Sequence, residues 1–130
     1  MNTPASARIA LVTGATRGIG AAVAAELARR GLLVVGTATS NEGAARIGQA
    51  LAPHGGQGVV LDVTDGAAVE AAVDAVVKAH GALHVLVNNA GWDTPMAFLE
   101  TRPDFWRKVV DINYLGPLQM THAVVGGMVR

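Results

Sequence analysis

Cysteine is absent from the 130 residues, so neither a disulfide nor a thiolate metal site can form, a composition that suits a reducing compartment. Charge of one sign is not in excess either. Ten basic residues balance ten acidic ones, leaving no global field to draw in nucleic acid or an anionic membrane. The expected partner is a small molecule, with no nucleic acid and no membrane. Metal-ligand spacing is also lacking. His54, His80, His84 and His122 are scattered, with no His-Glu-x-x-His run, and are expected at the surface or in packing, with no metal. No long apolar run precedes Ile9, so neither a secretory signal nor a membrane anchor is read there, and the expected location is cytoplasmic.

What is there is apolar: a hydrophobic fraction of 51% excludes disorder and predicts one globular domain over residues 1–130. The most informative stretch is Thr13-Gly14-Ala15-Thr16-Arg17-Gly18-Ile19-Gly20, directly after the apolar run Ile9–Val12. Its glycines sit where a buried strand turns into a helix. One glycine permits a tight turn, one admits phosphate oxygens close to the backbone, and one lets the helix pack tightly on the sheet. The unpaired N–H groups and positive dipole end of such a helix favour an anion. The spacing Gly-x-x-x-Gly-x-Gly has one more residue between its first glycines than the commoner dinucleotide fingerprint, and it lacks the Gly-Lys-Ser/Thr ending of a nucleoside-triphosphate loop.

Short apolar runs at Ile9–Val12, Leu32–Thr37, Gly58–Asp62 and Leu83–Val87 predict strands, and alanine-rich helical patterns fill the gaps. The first helix is expected from Ile19 to Arg30, with Ile19, Val23 and Leu27 on one face and Gly31 as its stop. A second covers Gly43–Leu51. A third follows a cap at Thr64 or Asp65 and carries Val69, Val73, Val76 and Val77 to Gly81. A fourth begins near Thr101-Arg102-Pro103, with proline in its first turn. Gly126-Gly127 lies where that helical pattern either ends near Val125 or weakens. Apolar strands alternating with helices predict an α/β fold, a doubly wound parallel sheet with helices on both faces and right-handed crossovers.

Thr13-Gly14-x-x-x-Gly18-Ile19-Gly20, Asp62-Val63, Asn88-Asn89-Ala90-Gly91 and Asn113, in that order, resemble the short-chain dehydrogenase/reductase family, a Rossmann-type fold. The glycine turn together with Val35–Ser40 looks most like the 3-oxoacyl-(acyl carrier protein) reductase branch. Asn88 through Asp93 looks more like reductases of acyl-CoA or related thioesters. The resemblance covers essentially the whole chain, and it implies hydride transfer between a nicotinamide cofactor and a ketone or secondary alcohol, with a small-molecule acyl thioester or ketone as substrate.

The cofactor-binding residues expected are Gly14, Thr16, Arg17, Gly18, Ile19, Gly20, Thr39, Asp62, Val63, Asn89, Ala90 and Gly91. Asn89, Ala90 and Gly91 follow the fourth strand at its carboxyl edge, where open α/β sheets bind ligands, and their small size lets a ring or ribose lie against backbone. The resemblance implies that Asp62 meets the adenine amino group and that Val63 packs on the ring; otherwise Asp62 is a helix cap. The second strand ends without the carboxylate that holds two ribose hydroxyls in an NAD site. Thr37-Ala38-Thr39-Ser40-Asn41 instead leaves room for a 2′-phosphate and Arg17 offers a positive charge, so NADP(H) is preferred and NAD(H) possible, with Glu42 nearby as a tempering charge.

Pro117 has no N–H to give the carbonyl of Asn113, so a kink with room for a water is expected there. The resemblance implies that Asn113 holds this water within a catalytic proton relay. The serine and the tyrosine with lysine four residues later that the family uses are not among these residues: the only tyrosine, Tyr114, precedes Leu118 by four and is expected to pack within the helix, and Lys78 and Lys108 lie upstream. Family members are about twice this long, so the chain reads as the cofactor-binding portion, truncated after the fourth strand and its helix, or as a degenerate member. Phe105, Val109, Ile112 and Met120 are expected to give the last helix an apolar face for a homo-oligomer, dimer or tetramer. Trp92 and Met96 are the candidates for an apolar substrate wall, with ordinary packing the favoured alternative for both. A non-catalytic dinucleotide-binding module and a scaffold that binds nothing are the alternatives, and a nucleotide-sugar epimerase is disfavoured by the loop spacing.

Overall fold

Alternation along the first strand decides how the sheet is covered. In the computed structural model, which describes residues 7–130, β1 spans Ile9–Val12 and all four residues are buried. Ile9 and Leu11 point to one face of the sheet, Ala10 and Val12 to the other. The chain continues as α1 (Gly18–Arg29), β2 (Leu33–Ala38), α2 (Asn41–Leu51), β3 (Gln57–Val60), α3 (Gly66–His80), β4 (Val85–Val87), α4 (Pro103–Val110) and α5 (Gly116–Met128). The strands form one parallel sheet ordered β3-β2-β1-β4. Leu11 sits in register with Val35 on one side and Leu86 on the other.

Each face has its own core. Ile9, Leu11, Leu33 and Val35 pack with Val69, Val73 and Val76 of α3 and with Met120 and Val124 of α5. Ala10, Val12 and Val34 pack with Ala24 and Ala28 of α1 and Ile47 and Leu51 of α2. Burial of these apolar surfaces is the main term stabilising the sheet. The doubly wound parallel sheet with covered faces is therefore as expected, and β1 agrees residue for residue. β2 lies one residue later than expected, β3 starts one residue earlier and ends two earlier, and β4 is shorter than expected because Leu83 and His84 precede its pairing with β1. His84 still braces that edge: its Nδ1 accepts the Ile9 N–H at 2.9 Å.

The helices bring several corrections. In α1 the buried positions are Gly20, Ala24 and Ala28, with Ile19 76% exposed and Val23 and Leu27 only at the margin. The seam on the sheet is too tight for large side chains, so the small residues take it. In α3, Asp65 caps through its Oδ1, which accepts the Ala68 N–H at 3.1 Å, and Val77 falls beside the buried stripe at 40% exposure. Instead of a simple kink at Pro117, α4 runs into α5 through a π turn, Asp111–Leu115, in which the Gly116 N–H reaches back to the Asp111 carbonyl. This widening before Pro117 accommodates the missing donor, and α5 continues through Gly126-Gly127 to Met128. Met120 is completely buried rather than part of a free face, and Tyr114 is 63% exposed rather than packed. Among the described residues no helix is long and apolar enough to cross a membrane.

Candidate functional site

Strand order reverses between β1 and β4, so the turns leaving their carboxyl ends diverge and open a cleft. The two turns are tied by Thr13, which is buried. Its hydroxyl oxygen accepts the backbone N–H groups of Asn89 at 3.1 Å and Ala90 at 3.0 Å. Asn89 returns the bond, its side-chain amide donating to the Gly14 carbonyl at 3.0 Å. Thr37 at the end of β2 holds the same turn from the other side, accepting the Gly14 N–H on its hydroxyl at 3.2 Å and the Ala15 N–H on its carbonyl at 2.9 Å.

Those ties explain the glycines. Gly14 has φ +65°, and a Cβ there would sit 2.9 Å from the Ala90 Cα. At Gly20 a Cβ would collide with the Gly14 carbonyl and the Asn89 amide. Gly18, with φ +61°, faces open space. Arg17 precedes α1 without a side-chain cap and no acidic residue occupies its first turn, so the helix presents unpaired N–H groups and positive dipole to that space.

The cleft has a volume of about 690 Å³, within the range of small-molecule sites, and crosses the carboxyl ends of all four strands. Gly14, Thr16, Arg17, Thr39, Asp62, Val63, Asn89, Ala90 and Gly91 all line it. Gly18, Ile19 and Gly20 do not: the first two are exposed beside the turn, and Gly20 lies beneath it. Asp62 accepts both the Thr64 hydroxyl (2.7 Å) and the Thr64 N–H (2.9 Å) on Oδ1. The hydroxyl first and the N–H second hold its carboxyl below the usual range, so it faces the cleft ionised. Since Asp65 caps α3, Asp62 is not needed for that task.

Asn113 does not line the cleft but controls what does. Its side chain accepts the Trp92 N–H at 3.1 Å and donates to the carbonyls of Trp92 at 2.7 Å and Val109 at 2.9 Å. Trp92, so pinned, carries Lys108 Nζ 3.9 Å from its ring centre and meets the edge of Phe105 at 5.6 Å. Trp92, Lys108 and Ile112 form the wall beyond Gly91; Met96 is outside it. Sequence reasoning missed Lys108 and Arg46 in the lining. The available signals were spacing alone: Lys108 lies four residues before Ile112, and Arg46 four after Glu42. Among the described residues no group of histidine, aspartate and glutamate could hold a metal.

A parallel sheet of this order, with a glycine turn and a cleft at its switch point, defines the Rossmann class. The chain belongs to the short-chain dehydrogenase family, whose model matches residues 8–130. It is 42% identical over 123 residues to the 3-oxoacyl-(acyl-carrier-protein) reductase FabG of Vibrio harveyi, a match covering 95% of this chain and 50% of the relative. The FabG of Pseudomonas aeruginosa is 40% identical over 125 residues, with 95% and 51% covered. The chain thus spans about half the length of these relatives. A crystal structure of a short-chain dehydrogenase from Streptomyces avermitilis superposes with TM-score 0.88 at 35% identity, over 97% of this chain and 46% of that one. A metagenomic short-chain oxidoreductase in complex with NADP superposes with TM-score 0.84 at 33% identity, over 94% and 57%.

Proposed function

We propose that this chain is the cofactor-binding portion of an NADP(H)-dependent reductase acting on a 3-oxoacyl thioester or a similar ketone, or on the corresponding alcohol. The observation that carries the reading is the cleft itself: an uncapped helix start at a glycine turn, Arg17 beside it, and a second strand followed by the hydroxyl groups of Thr39 and Ser40. Gly14, Thr16, Gly18, Ile19 and Gly20 receive the pyrophosphate, for which Gly18 faces open space, while the absence of a Cβ at Gly14 and Gly20 lets the turn close on Asn89 and Ala90. Arg17 and Thr39 hold the 2′-phosphate, Asp62 and Val63 the adenine, and Asn89, Ala90 and Gly91 the ribose and nicotinamide. Bound there, the nicotinamide supplies or accepts the hydride. Asn113 keeps the Trp92 wall in place and contributes its backbone carbonyl to the water relay.

The substrate class follows the relatives named as 3-oxoacyl-(acyl-carrier-protein) reductases. The 130 residues by themselves bind cofactor without turnover, since their only tyrosine is not followed by a lysine at the fourth position. We assign the exposed apolar stripe Trp106, Val110, Tyr114 and Leu118 to self-association and place the protein in the cytoplasm. Calorimetric titration with NADPH and NADH tests the reading. Saturable binding, tighter for NADPH and weakened by Arg17→Ala, is expected; binding of neither nucleotide overturns it.

A further inference from the structure

Among the described residues, Glu42 and Arg46 are the only ion pair with both members on the wall of the cleft. The pairing is loose. Arg46 Nη2 stands 3.6 Å from Glu42 Oε1, beyond hydrogen-bond distance, and the two side chains are 59% and 86% exposed. An exposed pair one helical turn apart is weak and easily exchanged for a better partner.

The fold aims that pair at the end of β2. Gly43 is buried so closely on β2 that a Cβ would lie 2.8 Å from the Ala38 Cβ and 3.1 Å from the Thr16 hydroxyl. Arg46, three residues on, shares that helix face and lines the same cleft as Arg17, Thr39 and Ser40. Two guanidinium groups from separate elements thus line one cleft with the hydroxyls of Thr39 and Ser40 and the carboxylates of Glu42 and Asp62. A phosphate monoester carrying close to two negative charges matches two guanidiniums better than one, and Arg offers it paired donors.

We infer that Arg46 is a second cation for the 2′-phosphate and that Glu42 is its resident counter-ion, displaced when the phosphate enters. The inference rests on the reading of the cleft as an NADP(H) site. Glu42 then sets the strength of discrimination: it competes for Arg46 and repels the phosphate, and neither effect acts on a nucleotide that ends in a ribose hydroxyl.

The test is calorimetric titration of NADPH and NADH into the purified protein and its Arg46→Ala, Arg46→Lys, Glu42→Gln and Arg17→Ala variants, at low and high salt. Arg46→Ala is expected to weaken NADPH binding about tenfold, the scale of one charge-assisted contact, while NADH stays within about twofold. Arg46→Lys should recover part of the loss. Glu42→Gln should tighten NADPH about threefold, an effect that shrinks in high salt. Thermal melting checks that these exposed substitutions leave the fold intact. If Arg17→Ala weakens NADPH and Arg46→Ala changes both nucleotides equally or neither, the role of Arg46 is refuted and the cofactor reading stands. If the unmodified protein binds neither nucleotide, both fall.

Discussion

Thr13 and Asn89, 76 residues apart, are joined by a hydrogen bond of 3.1 Å from the Asn89 N–H to the Thr13 hydroxyl, and the Ala90 N–H shares the same oxygen. One buried hydroxyl therefore fixes the spacing of the two turns that form the cleft. Thr13→Val keeps the shape and removes the acceptor. The Asn89 N–H keeps the Val87 carbonyl at 3.1 Å, but the Ala90 N–H is left unpaired, which should cost about 1–3 kcal/mol and lower the urea midpoint, while Thr13→Ser, which keeps the oxygen, loses far less. An unchanged midpoint for Thr13→Val would show that the tie is not stabilising.

The glycine turn separates two kinds of glycine requirement. Gly20→Ala drives a methyl group into the Gly14 carbonyl and the Asn89 amide, so the turn and β4 must move apart. Overpacking of this kind costs about 1–3 kcal/mol or more. At Gly18 the added methyl meets nothing within 4 Å, and only φ +61° opposes it, at about 1–2 kcal/mol. Thermal melts should place Gly20→Ala below Gly18→Ala. The reverse order would mean that backbone conformation, not crowding, governs the turn.

How much of this could be read in advance follows the range of the interactions. β1 was legible to the residue because four apolar residues lie between Arg8 and Thr13, and the glycine spacing is a local property of one turn. Apolar spacing misplaced the inner face of α1, because the tight seam selects Gly20, Ala24 and Ala28 over the bulkier Ile19. The same spacing put Met120 on a free face, whereas the π turn resets the helix phase before α5 and Met120 enters the core. Nine of the expected cofactor residues line the cleft because the motifs follow strand ends. Arg46 and Lys108 escaped notice since their place depends on how α2 and α4 are laid across the sheet. The clasp of Asn113 on Trp92 spans 21 residues and has no local signature.

That clasp can be tested apart from any chemistry. Asn113→Ala removes three side-chain hydrogen bonds, two of them to the main chain of Trp92, but keeps the backbone carbonyl at position 113. Exposed bonds of this type contribute about 0.5–1.5 kcal/mol each at most. The expected result is a modest drop in melting temperature and a red shift in Trp92 fluorescence, read in a Trp106→Phe background. Unchanged emission would mean that Lys108 and Phe105 alone hold the ring.

Acid should expose a charge cluster at the far end of α1. Glu26 accepts Arg29 Nε at 3.0 Å and Arg30 Nε at 2.7 Å, and Arg29 Nη2 also reaches it. The bonds from Arg29, then Arg30, pull its carboxyl from 4.5 down to about 2. Because the folded value lies below the unfolded one, the stabilisation is present above pH 4.5 and disappears as pH falls through about 2. Glu26→Gln should therefore melt below the unmodified protein at neutral pH, with the gap closing between those two values. Asp62, also depressed, titrates in both proteins and cancels in the comparison. The cluster is solvent-exposed, so high salt should narrow the gap at neutral pH as well. A difference in melting temperature that persists unchanged down to pH 2 would assign the effect of Glu26 to packing of its stem rather than to its charge.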